Sequence, residues 1–111
     1  VQGRNESEAI NRVVTFGGSS LSGEGYSNLF RLSASARNEM HPTGVGPIGM
    51  GTSQALAGNF GDGKIVAFGD SNGFTAMIFT AEDGSTTAAG MNTADYDWKQ
   101  LVLNVLHWLS L

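Results

Sequence analysis

The residues best equipped for chemistry lie in one short run. Gly69-Asp70-Ser71-Asn72 follows the apolar stretch Ile65-Val66-Ala67-Phe68. In an open α/β sheet, ligands bind outside the carboxyl ends of the strands. Asp70, Ser71, Asn72 and nearby Thr75 are therefore the candidate ligand-binding residues, at such a crevice. A serine nucleophile needs a base within hydrogen-bond reach, a carboxylate to orient that base, and oxyanion donors. The chain has two histidines, His41 and His107, and Asp97 lies ten residues before the second. Ser71, Asp97 and His107 are thus the candidate catalytic set. The plainer reading is that Asp70 and Ser71 end a strand and cap the next turn with their side-chain oxygens.

Other candidates point to less. His41 precedes Pro42 among glycines and reads as an exposed loop histidine. Two isolated histidines without carboxylates at ligand spacing make a poor metal site, so no metal is expected. The absence of Cys removes thiol nucleophiles, disulfides and Cys-ligated zinc. Glu82-Asp83-Gly84 lacks the alternating ligands of a calcium loop. Gly44-Val45-Gly46-Pro47-Ile48-Gly49 has the spacing of a dinucleotide fingerprint. Pro47 interrupts it and no strand-then-helix frame surrounds it, so no cofactor is expected. Trp98 and Trp108 fall on the same helical side and read as core anchors before a sugar-stacking platform.

These side chains depend on elements that the sequence outlines. Arg12 to Phe16 is rich in β-branched residues and stopped by Gly17-Gly18, which predicts a strand. Asn28 to Ser33 is a shorter strand candidate. Gln54 to Phe60, Gly61-Asp62-Gly63 and Lys64 to Gly69 predict a β-hairpin near 54–69, because Gly supplies positive φ at the turn. Ile65 to Phe68 is apolar on both faces, which predicts a central strand covered on both sides. Ser71 to Phe79 reads as a short helix or a turn plus a strand, and Ala81 to Asp95 as a long loop. The clearest element is an amphipathic helix over 97–109 packed on the sheet. Leu101, Val102, Val105, Trp108 and Leu109 share one arc with Trp98 beside them, and Lys99, Gln100, Asn104 and His107 lie opposite. Asp95 or Asp97 is placed to cap it. Leu103 is the misfit, either a second contact surface or an exposed leucine. Together these predict an α/β or α+β layered fold.

Composition sets the outer bounds. The chain has 111 residues, 41% hydrophobic and only 14% charged, with 16 Gly. That suits one packed domain, or the C-terminal fragment of a larger one. A net charge of −4 argues against nonspecific nucleic-acid binding and against an anionic membrane surface. No apolar run approaches the length of a membrane span. The low charge, the lack of Cys and the Ser/Thr/Asn/Gly enrichment suit an extracytoplasmic bacterial protein.

Two resemblances enter here. Gly69-Asp70-Ser71 resembles the first block of the Gly-Asp-Ser esterases and lipases, in which the Ser is the nucleophile. That pattern places its Asp much nearer the His than Asp97 is to His107, and it opens a much longer domain than follows Ser71. More of the chain, roughly Val13 to Leu111, resembles the tail of bacterial proteins with the class I glutamine amidotransferase-like, flavodoxin-like α/β fold. The resemblance is carried by Gly63-Lys64-Ile65-Val66-Ala67-Phe68-Gly69-Asp70-Ser71, by Phe74-Thr75-Ala76, by Gly90-Met91-Asn92 and by Asp97 to Leu109. It departs at Trp98 and at Gly61 to Lys64. The resemblance implies sheet strands with a covering helix, and no nucleophile, because the family's catalytic Cys has no counterpart here. It implies a non-catalytic module for assembly or ligand binding, partnered by another copy or by an upstream segment of the same protein. An incomplete sheet would leave an open strand edge and an apolar face, both of which favour such pairing. A small ester hydrolase using Ser71 and a carbohydrate-binding unit are the alternatives.

Overall fold

The computed structural model describes residues 2–36 and 51–111. The readings on His41 and on Gly44 to Gly49 lie outside the described residues. The architecture is mixed α+β, with two small antiparallel sheets and a C-terminal helix. The chain divides into two compact units. One is formed by the described residues between Gly17 and Asp70. The other joins the described residues up to Phe16 with Ser71–Leu111.

The 17–70 unit is built on the hairpin. Strand β1 (Ser27–Asn28), β2 (Ala55–Phe60) and β3 (Gly63–Phe68) form a sheet in that order. Phe60 pairs with Gly63, leaving Gly61-Asp62 as a two-residue turn. Gly61 has φ +58°, the sign a type II′ turn requires at its first central position. Ala55 and Ala57 are buried, and Phe30 meets Phe68 edge-on with ring centroids 5.8 Å apart. The Asn28 to Ser33 candidate runs beside β2 only irregularly. Leu29 N–H donates to Ala55 O at 2.9 Å, and Leu32 N–H to Thr52 O at 2.9 Å.

The expectation of a central strand at Ile65 to Phe68 is corrected. These residues lie in β3 at the edge of the sheet, and Ile65 is 40% exposed. The reason is the turn. A two-residue connection sends the chain straight back antiparallel, whereas a doubly covered parallel strand needs a long crossover. A run that is apolar on both faces does not distinguish the two cases.

The other unit holds a 3-10 turn at Asn72–Phe74, β4 (Ala76–Thr80), β5 (Thr86–Gly90) and helix α1 (Trp98–Ser110). Strands β4 and β5 pair with each other, from Ala76 with Gly90 to Thr80 with Thr86. The long loop expected over Ala81 to Asp95 is therefore corrected to a tight reversal followed by a strand. Asp83 Oδ1 accepts from Ser85 N–H at 2.9 Å, and Ala81 N–H donates to Ser85 O at 2.8 Å. This side-chain-supported turn closes the hairpin.

The expected strand at Arg12 to Phe16 is also corrected, since it belongs to no sheet. Its polar groups are spent on the start of α1. Val14 O accepts from Trp98 Nε1 at 2.7 Å, and Arg12 O from Asp97 N–H at 2.7 Å. Helix α1 buries Trp98, Leu101, Asn104 and Val105. Two positions differ from the expected arcs. Asn104, placed opposite the apolar arc by periodicity, is buried because Nδ2 donates to Glu8 O and Oδ1 accepts from Gln100 Nε2, each at 2.9 Å. Leu109, placed on the covered arc, is exposed. Within this unit α1 sits against the 3-10 turn and the N-terminal segment.

Candidate functional site

Asp97 precedes α1, and its carbonyl accepts from Leu101 N–H at 2.8 Å. Its carboxylate does not cap the helix. Oδ2 instead accepts the backbone N–H groups of Asn11 at 2.7 Å and Arg12 at 2.9 Å. These donors, Arg12 first and Asn11 second, hold the carboxyl below its ordinary range, because they stabilise the charged form. Neighbouring Asp95 takes a left-handed φ of +64°, uncommon outside glycine but a region that Asp and Asn enter more readily than other residues. Next to it, the Arg12 guanidinium stands 5.1 Å from the centroid of the Tyr96 ring.

His107 lies in the last turn of α1 and is exposed. It lies ten residue steps beyond Asp97, about 15 Å along the axis. The carboxylate in the N-terminal segment, Glu8, is held chiefly by Arg4, with His107 the last and smallest of the influences on it. Arg4 N–H donates to Glu8 Oε2 at 2.7 Å and Arg4 Nε to Oε1 at 3.0 Å, and the Glu8 carboxyl is pulled down to about 2.

Ser71 is exposed and opens the 3-10 turn, and its hydroxyl makes no capping bond. The turn packs at the first residue of α1, where Gly73 is buried against the Trp98 ring and Phe74 lies 6.2 Å from it. Ser71 therefore stands near the beginning of the helix and His107 near its end. The structure brings Ser71 and Asp97 toward the same end of α1 and leaves His107 at the other.

The remaining ligand candidates divide in the same way. Asp70 is buried and is the last residue of its unit. Asn72 is exposed, while its carbonyl accepts from Thr75 N–H at 3.1 Å and Thr75 Oγ1 at 2.7 Å. The Thr75 hydroxyl is thus committed to closing the turn. Trp98 is fully buried and Trp108 half-buried. Among the described residues no group of three or more acidic or His side chains is placed to hold a metal ion. Among them no helix is long and apolar enough to cross a membrane.

Sequence reasoning missed the largest feature of this unit. Leu103, Leu106 and Leu109 of α1 face solvent, with Val102 half-buried between them. Ile78 and Phe79 of β4 are exposed as well. The misfit Leu103 was the one signal of this second apolar arc. Glu8 as the acceptor for a buried Asn carried no signal, because a backbone carbonyl is available at every residue. No protein-family model, no curated protein and no solved structure matches the chain.

Proposed function

We propose that the chain acts by assembly and not by catalysis: a non-catalytic α+β module that pairs with a second copy through the outer arc of α1. The observation that carries this reading is a second apolar arc on the helix, outside the face that buries Trp98, Leu101 and Val105. Polar Asn104 is buried, while Leu103, Leu106 and Leu109 are open to water, Leu106 being 59% exposed. At 100° per residue, Val102, Leu103, Leu106 and Leu109 span roughly 120° on one side. Two copies of one helical face are self-complementary about a twofold axis. The resemblance to amidotransferase-like tails, in which a last helix covers part of a larger assembly of strands, is in keeping with this reading.

Magnitudes place such a pair at modest strength. Fully burying an exposed leucine side chain contributes about 1.5–3 kcal/mol, and Leu103, Leu106 and Leu109, already about half covered, have roughly half of that left to gain. Three or four on each partner exceed the lower estimates of the association cost, about 4 kcal/mol and upward, by a moderate margin. A reversible, concentration-dependent dimer is expected.

Serine hydrolysis has less support. The Asp97 carboxylate is occupied by two backbone donors, and His107 lies at the far end of the helix from it. Sugar stacking has less support too, with Trp98 buried. The test is light scattering across a concentration series for the wild type, Leu106→Glu and Leu103→Glu. These side chains are exposed, so the variants keep the helical circular dichroism. The wild type is expected to self-associate and both variants to remain monomers. A wild type that stays monomeric at its solubility limit, or a Leu106→Glu that associates as tightly, overturns the proposal.

A further inference from the structure

Asn72 is the one asparagine in the chain that is followed by glycine. This pairing has chemistry of its own. A glycine without a side chain lets its amide nitrogen approach the preceding Asn side chain more freely than any other residue does. Here the two halves of the pair stand in opposite environments. Asn72 is exposed to water, while Gly73 is buried with its α-carbon against the Trp98 ring.

We propose that Asn72-Gly73 is a self-modification site whose product releases the start of α1. The Gly73 nitrogen attacks Asn72 Cγ. A bond forms between them, the Cγ–Nδ2 bond breaks, and ammonia leaves with the proton that the Gly73 nitrogen gives up. The resulting succinimide is opened by water. Attack at Cγ yields aspartate with the original backbone. Attack at the former backbone carbonyl yields isoaspartate, in which the main chain runs through the side-chain methylene.

The isoaspartyl product does not fit this turn. The carbonyl that accepts from both Thr75 N–H and Thr75 Oγ1 becomes a free carboxylate, and the path to Gly73 lengthens by one carbon. Gly73 has no room to shift toward the helix, because a single added Cβ would already collide with three ring carbons of Trp98. The ring is anchored from the other side by Trp98 Nε1 on Val14 O. The turn is therefore expected to leave the ring, exposing the side chain that is the largest fully buried one among the described residues.

The experiment ages the whole chain in mildly alkaline buffer. Isoaspartate is located by peptide mapping, and Trp emission is followed in a Trp108→Phe background so that it reports Trp98 alone. Isoaspartate at residue 72 is expected to exceed that at Asn28, Asn59 or Asn92 several-fold. A red shift of the emission is expected to grow in step with it and to be absent in Asn72→Gln, or in Asn72→Ser should the first variant fold poorly. Isoaspartate no greater at 72 than at those other positions overturns the proposal. So does its accumulation with the emission of fresh protein unchanged.

Discussion

Replacing Gly73 with alanine tests the packing on which α1 depends. The added Cβ would fall inside contact distance of three carbons of the Trp98 ring. Overpacking of this kind costs about 1–3 kcal/mol, and the position in that range depends on whether the neighbour can retreat. Trp98 has little freedom to do so. It is 0% exposed, its Nε1 is bonded to Val14 O at 2.7 Å, and Phe74 lies beside it. Nor can the turn easily move away, because Thr75 O accepts from Met91 N–H at 2.6 Å and ties it to the end of β5. The cost is therefore expected at the upper end, about 3 kcal/mol. Restricting the unfolded chain returns about 0.4–1 kcal/mol, which does not reverse the sign. The net loss is about 2 kcal/mol, a fall in Tm of roughly 10 °C for a domain of this size. Urea unfolding followed by Trp emission measures it. Gly63→Ala is the control, because a Cβ there meets only Phe60 O at 3.6 Å. Equal midpoints for Gly73→Ala and the wild type would refute the packing argument.

Two further perturbations probe the N-terminal segment. Asp97→Ala removes the acceptor shared by Asn11 and Arg12 N–H, so the amides of those two residues are expected to exchange faster with solvent, read residue by residue by NMR. For Glu8, a carboxyl lowered from 4.5 to about 2 in the folded protein favours folding above 4.5, and that contribution is lost as pH falls toward 2. In Arg4→Gln the Glu8 titration midpoint is expected to rise toward 4.5, and the wild-type advantage in Tm over this variant to shrink across that window. An unmoved midpoint in a carboxyl-carbon NMR titration would show that Arg4 is not the cause.

What the sequence made legible was local. The hairpin near 54–69 could be read because Gly61-Asp62-Gly63 determines its own turn, and α1 because thirteen residues of period 3.6 outweigh any competing pattern. Arg12 to Phe16 has the composition of a strand but no ladder. Its carbonyls serve Trp98 and Asp97, more than eighty residues away in sequence, and no local pattern encodes such partners. Thr86 to Gly90 failed in the other direction. Thr-Thr-Ala-Ala carries little apolar bulk, and its pairing with β4 is enforced by the Asp83–Ser85 reversal. The candidate triad shares a helix and its neighbouring turn, but the rise of α1 separates Asp97 from His107, a consequence visible once the helix is granted.

The same helix ties the proposals together through Asn104. A helix of this length has room for one buried face, and here that face is chosen by polar as well as apolar partners. Glu8 O offers Asn104 an acceptor, so the helix is rotated to bury an amide. Burying an amide without that partner would be costly. With Asn104 inside beside Leu101 and Val105, Leu106 lies about 160° around the axis from Asn104 and Leu103 about 160° from Leu101, so both are carried outward. The exposed arc is thus a consequence of how the N-terminal segment holds α1. Asn104→Leu removes the polar reason for this rotation and supplies apolar bulk to the inner face. If the orientation is set as argued, this variant and Leu106→Glu differ in kind. The first alters the seating of α1 on the segment around Glu8, and the second leaves that seating intact while abolishing association. Hydrogen exchange at Glu8 and Ala9, compared between the two, separates a fold effect from a surface effect.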